Sequence, residues 1–144
     1  MEILVKALHV DAVVPTYANE GDAGCDLVAV ETHTLRAGGG RALVATGLSM
    51  AIPEGHGGFV LPRSGLAAKH GVTCANAPGL IDAGYRGELK VALVNLDPEH
   101  DYVVHRGDRI AQLVVLPVPM TRFTAVEELP PAQRGEGGFG SSGR

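Results

Sequence analysis

Glycine and proline interrupt this chain so often that its apolar stretches are all short. The 144 residues include 20 Gly and 9 Pro, and the segments between them are rich in β-branched side chains. Short apolar segments bounded by turn-forming residues are typical of strands rather than of helices. The sequence therefore predicts an all-β chain, folded as a sandwich, a jelly roll or a barrel.

We predict nine short strands and at most one short helix. The strands are expected at residues 3–8, 26–30, 42–46, 58–61, 72–75, 88–96, 102–105, 110–115 and 123–126. Two of these segments, 88–96 and 110–115, are apolar on both faces, which indicates central strands. The helix is expected at residues 64–71, where Ser64 could act as the N-cap and Gly71 could end the helix.

The amino-acid composition limits the kinds of molecule that this chain is expected to bind. With 16 acidic and 12 basic residues the formal net charge is −4, and no basic helix or aromatic-basic stripe suggests a nucleic-acid surface. Two cysteines, Cys25 and Cys74, are too few for a disulfide framework. With no signal peptide or long apolar run, we expect a cytoplasmic protein without a membrane or nucleic-acid partner. Any polyanionic ligand would have to be held locally, by a few arginines, backbone N–H groups or a metal.

The last eleven residues differ from the rest of the chain. Residues 134–144 contain five glycines and little that could be buried in a core. They also contain a forked cation, a flat ring and two hydroxyls, at Arg134, Phe139, Ser141 and Ser142. This set could close over a phosphate and a ring, although a disordered polar tail has the same composition. We therefore predict a β domain at residues 1–133 and a flexible arm at residues 134–144.

Four internal segments place polar residues at turns and strand ends. They are Asp-Ala-Gly-Cys-Asp at 22–26, Pro-Arg-Ser-Gly-Leu at 62–66, Ala-Pro-Gly-Leu-Ile-Asp-Ala-Gly-Tyr-Arg-Gly-Glu at 77–88 and Arg-Gly-Asp-Arg-Ile-Ala-Gln at 106–112. The first could be a simple Asx turn, and the second could be a phosphate site or an ordinary strand-to-helix turn. In the third, Asp82 is either a turn former or a positioned base. In the fourth, Gln112 lies in an apolar strand and could bind core groups or a ligand.

Two common nucleotide and metal motifs are missing from the sequence. It has no Gly-x-x-x-x-Gly-Lys-Ser/Thr, which excludes a P-loop nucleotidase. Its six histidines are scattered and its cysteines stand alone, so no zinc-binding spacing occurs.

In this order, the four segments and the last eleven residues resemble the five motifs of the trimeric dUTPases, which hydrolyse dUTP to dUMP and pyrophosphate. The resemblance covers nearly the whole chain. It implies a distorted jelly-roll subunit with one short helix, in a homotrimer whose active sites are each built from three chains and closed by the C-terminal arm. It also implies dUTP as the substrate, Mg²⁺ as the cofactor, and a role in keeping uracil out of DNA and supplying dUMP for dTMP synthesis.

The resemblance also implies roles for single residues. Asp82 would hold and deprotonate the water that attacks the α-phosphorus, and Tyr85 would lie under the deoxyribose and exclude a 2′-hydroxyl. Asn76, with the backbone around Gly79, would read the uracil edge, and Asp26 would contact the shell of a Mg²⁺ ion chelated by the triphosphate. The other substrate-binding positions are Arg63, Ser64, Gly65, Lys90, Gln112, Arg134, Phe139, Gly140, Ser141 and Ser142.

Other residues of these motifs are expected to be structural. We assign Arg86 and Glu88 to structure, Asp22 and Asp108 to turns, and no role to Cys25, where many relatives carry a larger residue.

Two other functions are considered beside dUTP hydrolysis. A dCTP deaminase resembles the dUTPases in fold and assembly, but it needs a glutamate where this chain has Ala92. A non-catalytic trimer that only senses dUTP would be free to lose Asp82 and Tyr85, and both are present.

Overall fold

The computed structural model of the chain describes residues 1–132 and Gly135. The strands in this part of the chain are β1 (Leu4–Ala7), β2 (Cys25–Val28), β3 (His33–Leu35), β4 (Arg41–Ala51), β5 (His56–Leu61), β6 (Val72–Cys74), β7 (Gly79–Ile81), β8 (Leu89–Asn95), β9 (Tyr102–Val104) and β10 (Arg109–Pro117). One helix, α1 (Ser64–His70), lies between β5 and β6. No helix of these residues has the length and apolar character needed to cross a membrane.

Antiparallel pairing joins the strands into three sheets. The two larger sheets have four strands each, in the orders β1-β4-β8-β6 and β2-β10-β5-β7, and β3 pairs with β9 in a small third sheet. Side chains from both larger sheets meet in one aliphatic core. This arrangement confirms the predicted all-β, jelly-roll-like fold.

The two strands predicted to be central are central. In β8 the alternate residues Leu89, Val91, Leu93 and Asn95 are buried, while the residues between them are half-buried or exposed. β8 lies between β4 and β6, and β10 lies between β2 and β5. Because both faces of an inner strand are covered to some degree, these segments carry apolar residues in both sets of alternate positions.

A bulge in β4 explains why this strand is longer than predicted. We expected it to end at Thr46, because Gly47 is typical of a turn, but β4 continues to Ala51. Its pairing with β8 shifts between Ala45 and Leu48, and Gly47 has a φ of +66°. Glycine adopts this backbone conformation without the steric cost that other residues incur. The glycine therefore bends the strand rather than ending it.

The helix ends as predicted but begins differently. Gly71 takes the left-handed conformation, with a φ of 64°, and its N–H donates to the carbonyl of Ala67. The expected N-cap at Ser64 is wrong, because Arg63 occupies that position, and the Arg63 side chain makes no capping hydrogen bond. Ser64 is instead the first helical residue.

Three further differences separate the structure from the predicted strands. Residues 123–126, expected to form a strand, form none, and Phe123 is exposed. Two strands of three residues each, β3 and β7, were missed because their segments are too short to show a periodicity. The predicted arm, apart from Gly135, lies outside the described residues.

We expect Asn95→Ala to lower the free energy of unfolding by about 3 kcal/mol, since it deletes three hydrogen bonds from a fully buried side chain. Asn95 Nδ2 donates to the carbonyls of Leu35 and His100 at 3.0 and 2.8 Å, and its Oδ1 accepts from the N–H of Asp97 at 3.0 Å. Urea unfolding followed by circular dichroism measures the change, with exposed Thr34→Ala as the control. A loss below about 1 kcal/mol would contradict this account of the side chain.

Candidate active site

One group of predicted site residues meets where β2, β10 and β5 lie side by side. Asp26 pairs in register with Gln112, and Gln112 pairs with Leu61, directly before the Pro62-Arg63 segment. The carboxylate of Asp26 lies 3.4 Å from Arg63 Nε and 3.2 Å from Arg109 Nη1. Arg63 Nη1 also donates to the carbonyl of Arg109 at 2.7 Å. We call Asp26, Arg63, Arg109 and Gln112 the arginine–aspartate cluster.

The charges of this cluster do not cancel. Two guanidinium groups face one carboxylate, which leaves a local excess of positive charge suited to an anion such as a phosphate. Asp26 Oδ1 is buried, and Arg63 Nε approaches it without the alignment of a hydrogen bond, so this oxygen has no hydrogen-bond partner among the described residues. A buried carboxylate oxygen in this condition is suited to a water or to the shell of a cation.

Two further predicted residues, Ser64 and Gly65, begin α1 immediately after Arg63. Both are exposed. A methyl group placed on Gly65 would meet no atom within 4 Å. A ligand held by the arginine–aspartate cluster can therefore approach the hydroxyl and backbone of this segment.

A second group of predicted residues lies on the segment 76–88, which we call the β7 hairpin because it contains β7 and the turns on either side. A cavity of about 480 Å³ opens beside it, within the size range of small-molecule sites. The residues that line this cavity are Leu43, Leu80, Ile81, Asp82, Tyr85, Glu88, Leu89 and Lys90. A smaller cavity shares four of them and adds five more, which are Val60, Asn76, Gly79, Val91 and Ala92.

Local contacts fix the shape of the β7 hairpin. Asp82 is exposed directly after β7, and its carbonyl accepts a hydrogen bond from the N–H of Tyr85 at 3.0 Å. At the other end, a methyl group on Gly79 would lie 3.3 Å from Val60 Cβ and 3.4 Å from the amide nitrogen of Asn76. The absent side chain at Gly79 leaves space for the Asn76 amide to lie against β7.

The outer members of the two groups lie far apart on one chain, although β5, which leads to Arg63, pairs directly with β7. Asp26 is on β2 and Gly79 on β7, which are the two edge strands of the same four-stranded sheet. Neighbouring strands are about 4.8 Å apart, so three spacings separate these backbones by about 14 Å. The predicted residues are therefore spread across this sheet in two groups, which we call half-sites.

The remaining motif residues are placed as follows. Asp22 accepts a hydrogen bond from the N–H of Asn19 at 2.8 Å, and Asp108 accepts one from His105 at 2.8 Å, so both close turns. Burial raises the pKa of the Cys25 thiol, which disfavours the reactive thiolate. The predicted residues Arg134, Phe139, Gly140, Ser141 and Ser142 lie outside the described residues.

Sequence reasoning missed one member of the arginine–aspartate cluster. Arg109 stands in the fourth motif, but its partner Asp26 lies 83 residues away in the chain. The available signal was the cation itself, at the start of a strand whose other residues, apart from Gln112, are apolar. Only the pairing of β2 with β10 shows which carboxylate it meets.

Comparison with known proteins gives a consistent result. The dUTPase family model matches residues 11–143. A deoxyuridine 5′-triphosphate nucleotidohydrolase from Streptomyces griseus is 54% identical over 143 residues, which is 99% of this chain and 81% of that protein. The enzyme of the same name from Thermobifida fusca is 52% identical, over 99% of this chain and 79% of that protein.

Solved structures agree with the sequence relatives. The Staphylococcus bacteriophage 80alpha dUTPase with dUpNHpp is 33% identical, with a TM-score of 0.90 over 99% of both chains. A mutant dUTPase from phage phi11 of S. aureus, described with a structural Mg(II) ion, is 27% identical, with a TM-score of 0.82 over 91% of this chain and 100% of that one.

Proposed function

The chain belongs to the dUTPase family and is a dUTP diphosphatase, and from this premise we propose how its own residues cleave dUTP to dUMP and pyrophosphate. Asp82 accepts a proton from a water molecule as the water oxygen bonds to the α-phosphorus. The bond from that phosphorus to the oxygen bridging to the β-phosphate breaks, and pyrophosphate leaves. A carboxylate is a weak base, so exact placement of the water supplies much of the rate enhancement. In the cell the reaction keeps uracil out of DNA and supplies dUMP.

The observation that carries this proposal is the cavity beside the β7 hairpin. It has the volume of a nucleoside site, with Asp82 and Tyr85 both on its wall. Tyr85 takes the face of the deoxyribose and leaves no room for a 2′-hydroxyl. Asn76 and the backbone at Gly79 read the uracil edge in the adjoining smaller cavity, and Lys90, which lines both cavities, binds the substrate between them.

The triphosphate is assigned to the arginine–aspartate cluster. Arg63 and Gln112 bind phosphate oxygens, together with the hydroxyl of Ser64 and the backbone of Gly65. Asp26 Oδ1, which has no hydrogen-bond partner in the described part of the chain, fits a contact with the water shell of Mg²⁺. The described residues include no group of three or more His, Cys, Asp or Glu that could hold a metal, so the triphosphate itself supplies most of the ligands. When bound, the ion neutralises phosphate charge.

We propose a homotrimer in which the arginine–aspartate cluster of one subunit faces the β7 hairpin of another, with the arm of a subunit closing the site. The backbones of Asp26 and Gly79 are about 14 Å apart on one chain, which is consistent with a site that a second subunit completes. Large apolar side chains support it as well, since Val10, Met120 and Phe123 are at least 90% exposed in the single chain. The two cysteines are free, which fits our assignment to the cytoplasm.

Pyrophosphate release with Mg²⁺ from dUTP, dTTP, dCTP and UTP tests the proposal. We expect dUTP to be cleaved roughly tenfold faster or more than each of the others, because each competitor adds a methyl or hydroxyl or presents the wrong base edge. The dCTP reaction is also followed for ammonia. Equal cleavage of all four would contradict the assigned base and sugar contacts.

A deaminase reaction remains the second candidate, and one observation weighs against it. Ala92 lines the smaller cavity at the position where the deaminases need a glutamate, and a methyl group transfers no proton. Ammonia from dCTP in the same assay would overturn this reading.

A further inference from the structure

The ring of Tyr85 is held by its own hairpin rather than by burial. The side chain is 47% exposed, and its hydroxyl donates to the carbonyl of Glu88 at 2.9 Å. The ring lies directly over Gly87, where an added methyl group would come within 2.6 Å of Tyr85 Cζ and 2.9 Å of Cε2. The orientation of the ring therefore depends on where the backbone of residues 87–88 lies.

That backbone is tied to the bulge of β4 by the side chain of Glu88. At the bulge, Gly47 has no partner residue on β8, because the pairing passes from Ala45 directly to Leu48. The N–H of Gly47 donates instead to Glu88 Oε1 at 3.0 Å. The Glu88 carboxylate thus replaces the hydrogen bond that the bulge removes from the sheet.

The second carboxylate oxygen of Glu88 lies on the side of the cavity beside the β7 hairpin. Glu88 Oε2 lies 3.3 Å from Lys90 Nζ, and both residues line the cavity beside the β7 hairpin. Glu88 is about one quarter exposed, at 27%, so water screens this ion pair in part. The side chain of Glu88 therefore contacts both the β4 bulge and Lys90, while the backbone carbonyl of Glu88 accepts the hydrogen bond from the Tyr85 hydroxyl.

We propose that Glu88 is a positioning residue for sugar discrimination, which acts by fixing Tyr85 through the Gly47 bond. This rests on the sugar role proposed above for Tyr85. Hydrogen bonds from Ser49 Oγ to the Arg86 carbonyl and from Thr46 Oγ1 to the Leu89 carbonyl hold the backbone on either side of residue 88. If the Gly47 bond is lost, the carbonyl of residue 88 shifts between these two fixed points, and the ring no longer excludes a 2′-hydroxyl with the same precision.

The matched control is Glu31, whose carboxylate also accepts a hydrogen bond from a backbone N–H of β4. Its Oε1 accepts from the N–H of Ala45 at 3.0 Å, two residues before Gly47. Glu31 has no hydrogen bond to the β7 hairpin among the described residues. Glu31→Ala therefore removes a carboxylate from the N–H groups of β4 without touching the support of Tyr85.

The experiment measures kcat/KM for dUTP and for UTP in the full-length chain and takes their ratio. Glu88→Ala should lower the dUTP-to-UTP ratio by about tenfold, whereas Glu31→Ala should leave it within about twofold. Glu88→Gln keeps an oxygen acceptor for Gly47 while it loses the ion pair with Lys90, and should retain the ratio within about threefold. A purely structural role would lower the stability of the Glu88→Ala and Glu31→Ala variants alike and leave both ratios unchanged, which would overturn the proposal.

A second variant decides the case if Glu88→Ala does not fold. Tyr85→Phe removes only the hydroxyl that reaches the Glu88 carbonyl, and should lower the ratio in the same direction. A retained ratio in Tyr85→Phe overturns the proposal. If both single variants fold, the double variant should have a dUTP-to-UTP ratio little lower than that of either one. Both substitutions break the same connection between Glu88 and Tyr85. A wild-type enzyme that cleaves UTP as readily as dUTP instead refutes the sugar role of Tyr85 itself.

Discussion

Replacing Asp82 with asparagine should lower kcat for dUTP by about 10³-fold while binding of the analogue dUpNHpp stays within about twofold. Asparagine has nearly the same size and still offers an oxygen to the attacking water, but it does not accept the proton. Because Asp82 is exposed at the cavity and outside the core, the exchange leaves the fold intact. Single-turnover kinetics and calorimetric titration with the analogue measure the two quantities.

Asp22→Asn is the matched control for this experiment. Asp22 is also exposed, and its carboxylate closes a turn by accepting from Asn19. We expect its replacement to leave kcat unchanged. If Asp82→Asn abolished analogue binding along with turnover, Asp82 would be a substrate-binding group rather than the base, and if turnover persisted, another group would have to take the proton.

The fold class was predictable because the frequent Gly and Pro residues limit the length of each element. Gly71 ended the helix as expected, because a left-handed residue there requires glycine. The same reasoning failed at Gly47, where glycine permits a bulge inside a strand. A glycine alone does not distinguish these cases, because the difference depends on the partner strand.

The sequence proposed residues for the candidate site, but it did not give their layout. The resemblance of the motifs to those of the dUTPases pointed to Asp26, Asp82 and Tyr85, and their roles stay predictions. The contact of Asp26 with Arg109 and that of Glu88 with Gly47 join residues 83 and 41 positions apart. Such contacts arise from strand register, which one sequence specifies only through the whole fold. We had assigned Glu88 to structure, and the hydrogen bonds of the β7 hairpin suggest a more specific use.

Deleting residues 134–144 should leave a folded protein that hydrolyses dUTP about a thousandfold more slowly. Among the described residues the last strand, β10, ends at Pro117 and every residue after Val115 is exposed, so the core of this part of the chain is complete before the deleted segment begins. The deleted segment contains Arg134 and Phe139, and we propose that Arg134 binds the γ-phosphate and that Phe139 stacks on the uracil. Closing groups of this kind position the reactants and exclude water, and losing them lowers kcat as well as affinity.

Three measurements test the predicted effects of this deletion on stability, on assembly and on activity. The free energy of unfolding, measured with urea, should change by less than about 0.5 kcal/mol, which is the size expected for a change that leaves the described core intact. Sedimentation should give three times the mass of one chain for both the full and the shortened protein, since the exposed apolar residues 118–129 are retained. Removal of Arg144 alone, which has no assigned contact, should leave kcat/KM unchanged. A shortened chain that unfolds would make the segment part of the fold, and one that keeps full activity would show that the site needs no closing arm.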